Sequence, residues 1–176
     1  MMQSMAIKEL TRTALMLAVI IVLGLFPGLP VGFLPVPIVL QNFGIMLAGE
    51  VLGAKQGTLA AGLVLVALGF PFLSGGHGGM ASLFGPTGGA LLAWAVAPLA
   101  IGLTLQHAWF TATWWREWLV VLVFGVGLIN LAEVVWLATF FHFGFGQALV
   151  AELVFLPGDV LKAILSVTVA RRLRKI

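Results

Sequence analysis

Residues 118–141 read WLVVLVFGVGLINLAEVVWLATFF, and this stretch decides the fold. Its one ionisable side chain is Glu133. As a helix rising roughly 1.5 Å per residue it is long enough to cross a hydrocarbon core about 30 Å thick. A surface helix of a soluble protein keeps a polar face, and this one has none. Working outward, similar apolar stretches cover residues 10–29, 37–52, 57–73, 86–105 and 147–170. Short connections separate them: PGLPVGFLPVP, GAKQ, SGGHGGMASLFGPTGG, QHAWFTATWWRE and HFGFG. The expectation is an all-α integral membrane protein, a single domain over residues 1–176 with six transmembrane helices.

Composition points the same way. Apolar residues make up 61% of the chain and charged ones 9%, with a mean hydropathy of +1.16. Average soluble domains carry roughly 25% charged residues. A soluble fold of this size also leaves about a third of its surface exposed, too much to be this apolar, so membrane lipid is the expected surroundings. Cysteine is absent, which excludes disulfides, a thiolate nucleophile and cysteine metal sites. The pI near 10.0 does not imply nucleic acid, because the basic residues sit at helix ends.

Charge placement tests the span count. Lys8 and Arg12 precede the first span, Lys55 follows the second, Arg116 precedes the fifth, and Arg171, Arg172, Arg174 and Lys175 follow the sixth. With six crossings all of these fall on one face, and the other receives only His77 and His142. The positive-inside rule then makes both termini cytoplasmic, in a multi-pass protein of a prokaryotic cytoplasmic membrane. Trp109, Trp114, Trp115 and Trp118 form an aromatic belt at that face. Lys8 and Arg12 before residues 14–26 resemble a signal peptide, but no small-residue cleavage site follows, and the segment reads as a retained first helix.

The remaining basic residue, Lys162, lies inside the sixth stretch, three positions after Asp159 and on a face shared with Glu152. Ionisable groups in a span are costly unless paired or beside a wet cavity, so they mark function by default. Pro157 and Gly158 precede Asp159 and predict a kink there. GPTGG at residues 85–89 opens the fourth span, and the amides of Thr87, Gly88 and Gly89 near that helix start suit a carboxylate. His77 has no second ligand at metal spacing, so no metal site is expected. Gln41 reads as a ligand contact or a bond to a neighbouring helix. Asn130 and Glu133 line the same cavity or satisfy each other across helices, and Glu50 is expected near Lys55 at the interface. Gly49 with Gly53, and Ala14 with Ala18, are small-residue pairs that permit close helix approach.

Three motifs in order, PVPIVLQ (35–41), SGGHGGMASLFGPTGG (74–89) and FLPGDVLKA (155–163), resemble the BioY family, the biotin-specific S components of energy-coupling factor (ECF) transporters. The resemblance implies a substrate-binding subunit that docks on a transmembrane T component driven by two ATP-binding subunits. Some members occur without these partners and act alone or as homo-oligomers. It also implies that Asp159 and Lys162 face biotin, that Gln41 belongs to the site, and that the glycine loop with His77 and the Thr87–Gly88–Gly89 turn closes over the ligand. Ala14 and Ala18 then mark the docking face. Ala90 stands where many members carry a bulky aromatic, and the fourth span has no arginine for a carboxylate clamp. Biotin's ureido ring offers two N–H donors and a carbonyl, which an ionised Asp159 and Lys162 complement.

Other classes stay open at this point. A solitary or ion-coupled carrier would run a proton path through Glu152, Asp159 and Lys162, and the same fold serves S components for other vitamins. An intramembrane enzyme lacks a zinc cluster and a serine–histidine–aspartate set, so no catalytic residues and no cofactor beyond the transported biotin are expected.

Overall fold

The computed structural model describes residues 2–30, 37–66, 70–74, 78, 80–142 and 144–175. Helices dominate. They are α1 (Met2–Leu25), α2 (Gln41–Val66), α3 (Met80–Leu83), α4 (Gly88–Leu105), α5 (Ala108–Thr111), α6 (Trp114–Val121), α7 (Leu128–Phe140), α8 (Phe145–Glu152) and α9 (Leu156–Leu173). A π-helical segment, Leu122–Gly127, joins α6 to α7 without interrupting the rod. No strand occurs among the described residues; one antiparallel bridge ties Leu29 to Ile38 across the proline-rich first connection.

α4 and the Trp114–Phe140 rod are long and apolar enough to cross a membrane, and α8 with α9 forms one apolar path bent by 53°. α2 is two helices meeting at Gly53, whose φ of 75° lies in the left-handed region. Only glycine enters that region without strain. A Cβ on Gly57 would lie 2.7 Å from the Ala48 carbonyl oxygen, nine residues back, so the chain reverses there. This break falls on GAKQ, where a connection is expected. Gly49 and Gly53 therefore do not share one continuous helix face. Gly49 packs against Pro98 of α4 and Gly53 makes the turn.

Polarity runs opposite to that of a soluble protein. Leu92, Val96, Leu99 and Leu103 of α4 are exposed at helical spacing, as are Leu131 and Val135 of α7 and Leu161 and Leu165 of α9. Gln41, Glu50, Glu117, Asn130, Glu133, Glu152, Asp159 and Lys162 are buried. An outward apolar band with polar groups inside suits lipid. The first half of α2 is the central element, buried continuously from Gly44 to Glu50. Its neighbours approach closely through small residues, including Ala93, Ala97 and Gly102 of α4.

Gly24 shows how strictly this packing is set. A Cβ there would overlap the Phe72 carbonyl oxygen and the Gln41 side-chain amide. Gln41 Nε2 donates to Phe72 O at 2.9 Å and Ile20 O at 3.3 Å, so the same crowded spot fastens α1, α2 and the following loop together. Gly24→Ala is expected to cost about 1–3 kcal/mol, the usual range for overpacking. Thermal unfolding of the detergent-solubilised variant checks this, and an unchanged midpoint would show that the contact yields.

Glu50 departs from the interfacial placement expected of it. It is buried beside Ser166 of α9 and within reach of the Arg174 charge. The basic end of α9 also does more than set topology. Arg171 and Arg174 both ion-pair with Glu117, which is completely buried at the start of α6. Arg116 instead lies over the Trp109 ring, 4.2 Å from its centroid.

Candidate functional site

Between α2, α4, α7, α8 and α9 lies a cavity of about 530 Å³. That is within the usual range of small-molecule sites, roughly 300–1,000 Å³. Its walls carry apolar groups from four elements: Ile38, Leu91, Trp94, Ile129 and Phe155. The polar groups gather around one carboxylate.

Asp159 occupies the first turn of α9, where the helix dipole favours an anion. The bend that puts it there is broader than a single proline kink. α8 ends at Glu152 and α9 restarts at Leu156, with Pro157 in its first turn, where a missing N–H costs nothing. Lys162 Nζ sits 2.7 Å from Asp159 Oδ1, one turn along the same helix. Asn42 Nδ2 donates to Oδ1 at 3.5 Å, and Asn130 Nδ2 to Oδ2 at 3.0 Å. Asn42 Oδ1 accepts in turn from Trp94 Nε1 at 2.8 Å. Four helices thus converge on a charge pair that is 3% and 7% exposed.

Three residues of the cavity wall carry buried acceptors with spare capacity. Asn130 Oδ1, Glu133 Oε1 and Glu152 Oε2 have no hydrogen-bond partner among the described residues. A buried polar atom without a partner is costly, and a ligand is one way to satisfy it. Asn130 follows the π-helical segment, and its Nδ2 also bonds the Val126 carbonyl at 2.9 Å. Such segments recur at functional positions because the widened turn re-aims the side chains after it.

Of the residues expected at the site, Asp159 and Lys162 stand at its centre and Thr87 and Gln41 line it. The Gln41 amide nitrogen is committed to backbone carbonyls, so this residue fixes the wall. Gly88 and Gly89 turn away from the cavity, toward α7: a Cβ on either would overlap Trp136, and Gly89 also abuts the Ala132 carbonyl. The Gly88 amide donates to Gly85 O, and the Ala90 amide donates to Glu133 Oε2 at 2.5 Å. The start of α4 therefore already holds one internal carboxylate, Glu133, at the amide that follows the three expected to suit a ligand carboxylate. Asn130 and Glu133 do not bond each other across helices; both line the cavity. Ala90 leaves its stretch of wall open, facing the cavity with no bulky group. His77, with Gly75, Gly76 and Gly79, lies outside the described residues. Ala14 and Ala18 are both exposed on α1, on the side away from the buried Thr13, Met16 and Ile20.

Asn42 and Trp94 are site residues that sequence reasoning missed. An asparagine beside Gln41 inside an apolar stretch is a signal of the same kind as Asn130. Trp94 gives no signal, since a tryptophan inside an apolar span reads as packing.

An ion-paired polar cavity enclosed by helices with apolar exteriors has the size and lining that suit a small molecule in a membrane protein. The chain belongs to the BioY family, whose model matches residues 1–176. It is 46% identical over 179 residues to the biotin transporter BioY of Lactococcus lactis subsp. cremoris, covering 99% of this chain and 95% of that one. The Rhizobium etli biotin transporter BioY is 37% identical, with 95% and 93% covered. The structure superimposes with a TM-score of 0.96 and 45% identity on a crystal structure of the S component for biotin from an ECF-type ABC transporter. That match covers 100% of this chain and 95% of the other.

Proposed function

We propose that this chain binds biotin in the cavity between α2, α4, α7, α8 and α9 and mediates its uptake as an S component. The observation that carries the reading is the Asp159 network inside an otherwise apolar chamber. Biotin's ureido ring needs acceptors for two N–H groups and a donor for its carbonyl. Asp159 and the free Asn130 Oδ1 accept, and Lys162 Nζ donates, all within one polar patch. The apolar bicyclic part and chain fit against Trp94, Leu91, Ile129 and Phe155. Gln41 and Thr87 shape the wall. Binding of radiolabelled biotin to the purified protein, with and without co-expressed partner subunits, tests this. Stoichiometric binding without turnover is expected, and no binding would sink it.

The chain crosses the cytoplasmic membrane six times with both termini inside, and a T component and two ATP-binding subunits drive it. Support comes from the reversal at Gly53, the bent α8–α9 path and the one-sided basic residues. Cysteine placed at exposed Phe84 is expected to label from outside and at exposed Lys175 from inside. Labelling from the same face would end this topology. The exposed Ala14 and Ala18 on α1 form the docking face for the T component.

A further inference from the structure

Two of the cavity's carboxylates play no part in holding a ureido ring. Glu133 of α7 is 3% exposed and Glu152 of α8 is 7% exposed; both line the cavity, and each has one buried oxygen without a hydrogen-bond partner among the described residues. They are within coulombic reach of each other, and Asp159 is within reach of Glu152. The charges facing Glu152 can be counted by element. α7 brings Glu133, and α9 brings Asp159 and Lys162. From α2 and α4 the polar lining is neutral: Gln41, Asn42, Thr87 and Trp94. Lys162 is the single cation among these described residues, and it is committed to Asp159 at 2.7 Å. Glu133 Oε2 already accepts the Ala90 amide at the start of α4. Glu152 has nothing comparable.

A ligand with a carboxylate tail brings a further negative charge into this enclosure, and the cavity offers no arginine to meet it. Carboxylates crowded together in a poorly solvated space share protons, because they cannot all stay ionised. A protonated carboxyl is a hydrogen-bond donor to a carboxylate.

We propose that Glu152, holding a proton, receives the carboxylate tail of the ligand, so that an anionic ligand is bound with one proton between it and Glu152. The ligand's O⁻ accepts the Glu152 O–H, no covalent bond changes, and the protonated Glu152 adds no second negative charge beside the one arriving. Glu133 fixes the start of α4. This rests on the biotin-binding reading and assigns the opposite end of the ligand from the Asp159 network.

The test is isothermal titration calorimetry of the purified chain in buffers of different ionisation enthalpy, with biotin and with biotinamide, whose tail is uncharged. Biotin binding is expected to be independent of pH while free Glu152 keeps its proton, and at higher pH to take up about one proton and weaken by up to about tenfold per pH unit. Biotinamide binding is expected to take up none. Glu152→Gln keeps a donor that cannot titrate, and its biotin binding is expected to lose both the proton uptake and the pH dependence. Biotin binding without proton uptake at that higher pH overturns this inference alone. Equal uptake with both ligands also overturns it, by placing the proton at the ureido end. Failure of biotin to bind overturns it together with the biotin-binding reading.

Discussion

Asp159→Asn is expected to weaken biotin binding by about 1.5–3 kcal/mol, the scale of a charge-assisted hydrogen bond, or roughly ten- to a hundredfold in Kd. The substitution keeps size and shape but turns an acceptor-only group into one that also donates. It leaves Lys162 buried and 7% exposed with no counter-charge, and it puts an N–H opposite one of the two amides, Asn42 or Asn130, that now donate to Asp159. Lys162→Ala is expected to act in the same direction, because the ligand carbonyl loses its donor. The two residues act as one unit, so the double substitution should cost clearly less than the sum of the singles. Equilibrium binding of labelled biotin to folded, size-selected protein measures all three. If yield and thermal stability fall while the surviving folded protein binds normally, the pair only cancels charge within the bundle.

Ala14→Trp combined with Ala18→Trp is expected to abolish ATP-driven uptake while purified protein still binds biotin. These residues are four apart on α1, share one face, and are exposed where Thr13, Met16 and Ile20 are buried. Two indoles there meet no neighbour inside the chain, so the bundle tolerates them. In lipid, helices associate through close packing that small side chains permit and large ones block. Co-purification of the T component should be lost with transport. Loss of biotin binding in the double variant would show that this face supports the fold, and undiminished uptake would show that this chain works without that partner.

Much of this architecture is readable from single residues. The apolar runs identify the helices, since lipid demands continuous apolar length and self-satisfied backbone. The reversal at Gly53 was marked by GAKQ, because glycine and charge cannot continue a buried span cheaply. Asp159 and Lys162 stood out for a local reason: a charge in a span has an energetic cost wherever it sits, so the sequence reports it without knowing its neighbours.

Which groups share a space is a different matter. Asn42, Trp94, Asn130 and Asp159 come from four helices spread over more than a hundred residues, and no local rule joins them. The amides at the start of α4 look free in the sequence, yet Glu133 already holds the Ala90 N–H. Gly88 and Gly89 look like ligand-facing turns, yet they are small because Trp136 leaves no room. Arg171 and Arg174 look like topology signals, yet they neutralise the buried Glu117. The sequence by itself determined the helices, their apolar exteriors and the charge pair, because those follow from the cost of placing each residue in lipid. Only the tertiary structure decided which partners satisfy each buried polar atom, because that depends on how helices distant in the chain are rotated against one another.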